Sequence, residues 1–123
     1  MGDTGSNMGR LTTHVLDTAR GCPGAGIAVE LFTFGVDRRL LASVETNPDG
    51  RTDAPLLEGE AFAAGVYELL FRAGAYFRQS GLSLPDPPFV DEVVLRFGIA
   101  DPSQHYHVPL LVSPWSYSTY RGS

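Results

Sequence analysis

The chain has 123 residues, 43% of them hydrophobic, and sets nine basic side chains, all Arg, against 14 acidic ones for a net charge of −5 at pH 7. That length builds one core and not two, and the acidic balance repels a phosphate backbone, which argues against nucleic acid as a partner. A single cysteine excludes an internal disulfide framework, no apolar run nears the ~20 residues of a membrane span, and residues 1–10 lack the apolar stretch of a secretory signal, so a reducing, cytoplasmic setting is expected.

Taken in chain order, the opening stretch rich in Gly, Ser, Asn and Asp reads as a disordered leader or expression remnant over residues 1–10, with the folded domain at 11–123. From Leu11 on, short runs of β-branched and aromatic residues alternate with Gly, Pro, Asp and Asn at the spacing of a small all-β sandwich. Strands are expected at 11–17, 27–34, 40–46, 66–71, 93–99, 106–112 and 115–120, with a short piece near 51–52. Cys22 lies in Gly21-Cys22-Pro23-Gly24, a turn with no neighbouring cation to lower its thiol pKa, and reads as an inert loop cysteine. Asn47-Pro48-Asp49-Gly50 supplies a preset φ at Pro48 and tolerance of positive φ at Gly50, which puts Arg51 at the exit of a rigid turn. The stretch Ala73 to Ser80 breaks the period of two and, with Gly81 as a stop, reads as the one short helix, over 73–80. Residues 83–88, with three prolines, form a loop.

Alternation sorts the polar side chains by face. Thr12, His14 and Leu16 share one face of the first strand, opposite Leu11, Thr13 and Val15. His105, His107 and Pro109 share a face of the sixth, opposite Tyr106, Val108 and Leu110. Imidazole is the side chain best suited to move protons near neutral pH, so two histidines beside an arginine suit a water-activating hydrolase in which the guanidinium stabilises an oxyanion. Two other schemes fit the residue types. A Ser-His-Asp set from Ser123, His107 and Asp101 lacks the sharp turn that presents a nucleophile, and His14, His105 and His107 could supply three zinc ligands. The pairs Glu58/Glu60 and Asp91/Glu92 read as solvated, and Tyr67, Tyr76 and Phe77 as packing. The closing Tyr120-Arg121-Gly122-Ser123 places a phenol, a guanidinium and a hydroxyl together, followed by an expected free carboxylate.

Leu11-Thr12-Thr13-His14-Val15-Leu16-Asp17, Pro48-Asp49-Gly50-Arg51, Gly65-x-Tyr67-Glu68-Leu69, Ala75-Tyr76-Phe77 and His105-Tyr106-His107-Val108-Pro109-Leu110-Leu111 through to Tyr120-Arg121-Gly122-Ser123 closely resemble the 5-hydroxyisourate hydrolases, transthyretin-like enzymes of urate degradation. Transthyretin itself shares the Ser-Pro-x-Ser-Tyr-Ser-Thr approach but lacks the histidines, the arginine and this ending. The resemblance implies a prealbumin-like sandwich of two four-stranded sheets, assembled as a homotetramer with active sites between dimers, and no metal or cofactor. It implies catalytic roles for His14, Arg51, His107 and Ser123, and substrate binding by His14, Arg51, Tyr120 and Arg121. His105 belongs to the matching motif without an implied catalytic role. The competing expectation is a transthyretin-like carrier that holds a small aromatic ligand in its channel without reacting.

Overall fold

A computed structural model describes residues 8–123 of the chain. Strict alternation shapes its first strand: in β1 (Arg10–Asp17) Leu11, Thr13, Val15 and Asp17 are buried, while Arg10, Thr12, His14 and Leu16 turn outward. The chain continues through β2 (Cys22–Pro23), β3 (Ala28–Thr33), β4 (Leu40–Glu45), β5 (Leu57–Glu58), β6 (Gly65–Arg72), α1 (Ala73–Gln79), β7 (Glu92–Ile99), β8 (Tyr106–Val112) and β9 (Tyr117–Thr119).

These strands make two sheets. The first runs β2-β1-β8-β9, with β5 also paired to β1, and the second runs β4-β3-β6-β7. β1 and β8 pair in parallel, setting Leu11 opposite Tyr106, Thr12 opposite His107 and His14 opposite Pro109. Between the sheets lie Leu11, Val15 and Leu110 from one side and Leu31, Leu69, Phe71 and Val93 from the other, all buried. Phe62, Phe71 and Phe77 are fully buried, and each such side chain contributes about 1.5–3 kcal/mol relative to exposure.

The seven expected strands are present, each within two residues of its expected ends. β2 and β5 are additions of two residues each, too short for alternation to register, and β5 makes the first sheet five-stranded where four were expected. A 3₁₀ turn at Gly59–Ala61 accompanies the expected helix. α1 buries Ala73, Gly74, Tyr76 and Phe77. Gly74 lies close against Asp91, whose Cα would sit 3.1 Å from an added Cβ and whose backbone oxygen accepts the Gly74 N–H at 2.9 Å.

The expected leader falls outside the described residues for positions 1–7, and Arg10 already belongs to β1. Among the described residues no helix is long and apolar enough to cross a membrane.

Candidate active site

A turn places the first functional side chain. The Asn47 carbonyl accepts the Gly50 N–H at 2.8 Å and the Asn47 N–H donates to the Arg51 carbonyl at 2.7 Å. Asn47 Oδ1 accepts from the backbone N–H groups of Asp49 at 2.9 Å and Arg51 at 3.1 Å, and its Nδ2 donates to Asp53 Oδ1 at 3.0 Å. Gly50 has φ +78°, the left-handed region that glycine enters without strain, and its carbonyl accepts the Val15 N–H at 2.8 Å. The turn is thereby stitched to β1, and Arg51 forms an antiparallel bridge with His14.

Backbone pairing extends this row across the outer face of the first sheet, in strands ~4.8 Å apart. Thr12 lies beside His107 in the parallel register, and Thr12 Oγ1 is 2.8 Å from His107 Nδ1. On its other flank His107 bridges to Gly122, donating its N–H to the Gly122 carbonyl at 3.1 Å and accepting the Gly122 N–H at 2.7 Å. The His14 Nε2–H donates to the Asp49 carbonyl at 2.8 Å. A carbonyl only accepts, so the His14 proton is fixed on Nε2.

Arg51, His107 and Ser123 line one cleft of about 390 Å³, together with Arg10, Thr12 and Asp53. His107 is half-buried. Burial, reinforced by the nearby Arg51 guanidinium and by repulsion from His14 were both rings to be protonated, holds its imidazole below the ordinary histidine range. A histidine kept neutral beside a guanidinium is equipped to take a proton from water while the cation meets a developing negative charge.

Residues 11–122 match the family model described as the HIUase/Transthyretin family. The chain belongs to that family. A 5-hydroxyisourate hydrolase of Ralstonia nicotianae is 65% identical over 117 residues, covering 94% of this chain and 100% of that one. The Klebsiella pneumoniae 5-hydroxyisourate hydrolase superposes with a TM-score of 0.78 at 34% identity, over 94% of this chain and 100% of its own. An (S)-allantoin synthase superposes with a TM-score of 0.93 at 47% identity, over 98% of this chain, which spans only 46% of that larger protein.

Within this family fold the site residues expected from sequence divide into three groups. Arg51, His107 and Ser123 share the cleft. His14 adjoins it through its bridge to Arg51 but does not line it, its Nε2 being turned to Asp49. Tyr120 and Arg121 line a separate apolar groove of about 330 Å³ beside β7 and β8. The Arg121 guanidinium stacks 4.3 Å over the Tyr106 ring and donates to the His105 carbonyl at 2.9 Å.

Neither alternative constellation assembles. Asp101 accepts the Ser103 hydroxyl at 2.6 Å, and the Nδ1 partner of His107 is Thr12, so no Ser-His-Asp relay forms with Asp101. Among the described residues, His14, His105 and His107 do not converge as a metal-ligand group. Two contributors escaped the sequence reading, Thr12 and the Asn47 side chain. Thr12 stood on the outward face beside His14, but nothing in its residue type announced a contact with a histidine 95 positions away.

Proposed function

We propose that the chain hydrolyses 5-hydroxyisourate to 2-oxo-4-hydroxy-4-carboxy-5-ureidoimidazoline, a step of urate degradation. The observation that carries this reading is the meeting of Arg51, His107 and Ser123 in one polar cleft, in a chain 65% identical to a 5-hydroxyisourate hydrolase over that enzyme's full length. Water is the nucleophile. His107 takes its proton as the oxygen adds to a ring carbonyl carbon, and the charge on the carbonyl oxygen grows against the Arg51 guanidinium. The ring C–N bond then breaks, and the departing nitrogen receives the proton held by His107. His14 is the positioning partner beside Arg51, and the Ser123 hydroxyl orients the substrate. The scheme uses no metal or cofactor.

Tyr120 and Arg121 line a groove other than their own chain's cleft and are exposed. That arrangement supports a homotetramer in which they bind substrate at a neighbour's cleft, with the sites between dimers. The single cysteine and absence of any possible internal disulfide support a cytoplasmic location. A carrier would line the cleft with small or apolar groups, whereas Arg10, Arg51, Asp53 and His107 make it suited to chemistry.

The test is the ultraviolet decay of enzymatically generated 5-hydroxyisourate with and without the protein, repeated with a chelator. Accelerated decay that survives chelation is expected. Decay at the uncatalysed rate would remove the hydrolase reading, and stoichiometric binding of an unreacted aromatic ligand would put the carrier in its place.

A further inference from the structure

We propose that Thr12 is a positioning residue that sets the tautomer of His107, keeping the proton on Nδ1 and aiming the Nε2 lone pair at the cleft. The inference rests on the reading of His107 as the base. Thr12 and His107 are direct neighbours in the parallel register of β1 and β8, with Oγ1 and Nδ1 2.8 Å apart. The bond made by one imidazole nitrogen dictates what the other can do: a hydroxyl can donate to a bare Nδ1 or accept from Nδ1–H, and only the second leaves Nε2 unprotonated, as a base facing the cleft requires. Threonine suits the task because its branched Cβ restricts χ1 and makes Oγ1 a stiff reference point.

The opposite flank of the ring is closed as well. A Cβ on Gly122 would lie 3.2 Å from His107 Cβ and 3.3 Å from Cδ2, so the Gly122 backbone already packs along the Cδ2 edge. With Nδ1 taken by Thr12 and that edge covered, the Cε1–Nε2 side remains for the cleft. His14 makes the contrast: the Asp49 carbonyl fixes its proton on Nε2, so the two histidines hold their protons on opposite nitrogens. Thr13, adjacent in sequence, spends its hydroxyl on the Val108 carbonyl at 2.7 Å in the core.

The choice of a hydroxyl over a carboxylate also matters. A carboxylate at this place would orient the ring but raise its basicity. A neutral hydroxyl orients it without doing so, in keeping with the downward shift that burial, Arg51 and His14 impose.

The experiment uses the whole protein with 15N-labelled histidine and the variants Thr12→Val and Thr12→Ser. Long-range 15N–1H spectra above the imidazole titration should show a protonated Nδ1 and a bare Nε2 for His107, assigned with a His107→Ala control. Thr12→Val should mix the tautomers and lower kcat, by up to about 10²-fold, with KM within about twofold, and Thr12→Ser should restore both. A parental spectrum with the proton on Nε2 overturns the proposal, as does a Val variant with unchanged tautomer and kcat or a Ser variant as impaired as Val. If Thr12→Val does not fold, the parental and Ser spectra decide alone. Full turnover by His107→Ala would instead remove the base assignment, an outcome separate from an unresponsive Thr12→Val.

Discussion

Gly122 and His107 exchange both backbone hydrogen bonds, at 3.1 and 2.7 Å, so the closing segment and the cleft's imidazole are held as one ladder step. The step is tight against any added side chain. A Cβ at position 122 would press on His107 Cβ at 3.2 Å and Cδ2 at 3.3 Å, which forces the ring or the segment to move by a few tenths of an ångström. Gly122→Ala is expected to lower kcat by up to about 10²-fold through misplacement of the ring, while stability changes by no more than about 0.5 kcal/mol at this half-exposed site. Turnover and a denaturant melt on the same preparation check it. Unchanged turnover would mean that the ring tolerates the shift.

Gly50→Ala should fail in a different way. Its φ of +78° is unfavourable for any Cβ, and the added carbon would collide with the Val15 carbonyl oxygen. The expected cost is about 1–3 kcal/mol of stability. Activity should also fall, because this turn carries Arg51. Adding guanidinium to the analogous Arg51→Ala variant, but not to Gly50→Ala, should restore part of the rate if the turn's whole backbone has moved.

Much of this arrangement is readable from the residues because β1 alternates without a bulge, so Thr12 and His14 fall on the outward face by counting alone. Asn47-Pro48-Asp49-Gly50 likewise announces its turn, since few residues accept the backbone angles required there. Counting fails where pairing is not local. β2 and β5 carry only two residues each, and the Thr12–His107 contact depends on a parallel register between distant segments. It also fails past the end of a strand: β9 stops at Thr119, so the directions of Tyr120 and Arg121 follow from the segment's own course, which takes Arg121 onto the Tyr106 ring.

The pH profile follows from the surroundings of His107. Burial first, then the Arg51 guanidinium and the proximity of a second imidazole at His14, favour the neutral ring, and the neutral ring is the active base. kcat/KM should therefore rise with pH along a limb centred below the ordinary value of about 6.5. Arg51→Gln removes the opposing guanidinium charge and should move that limb to higher pH while lowering the rate. The sign for stability is the same. Between the folded and unfolded values the unfolded chain binds more protons, so this contribution is complete above about pH 6.5 and is lost as pH falls through the folded value.

Tyr76→Phe should separate stability from catalysis. Asp17 ends β1 three residues, or about 10 Å, beyond His14 and on the buried face. Its Oδ2 accepts the Tyr76 hydroxyl at 2.7 Å and Arg20 Nε at 2.9 Å, and its Oδ1 accepts the backbone N–H groups of Ala19 and Arg20 at 3.0 and 3.1 Å. Burial alone would raise this carboxyl, but the bonds from Tyr76 and Arg20 outweigh it and hold it below the usual carboxylate range. Burial and the same carboxylate push the Tyr76 phenol up to about 12. A depressed carboxyl stabilises the fold above its unfolded value and loses that contribution as pH falls through the folded one. Removing the phenol oxygen takes away one of the bonds that depress it, so the variant should lose about 1–2 kcal/mol at neutral pH and less in strong acid, where the carboxyl is protonated in both proteins. The ring edge against Phe77, with centroids 5.0 Å apart, survives the change, and kcat per folded molecule should equal the parental value. A fall in kcat without a fall in stability would show that the buried end of β1 reaches the cleft through the strand, and the separation of the two regions would have to be abandoned.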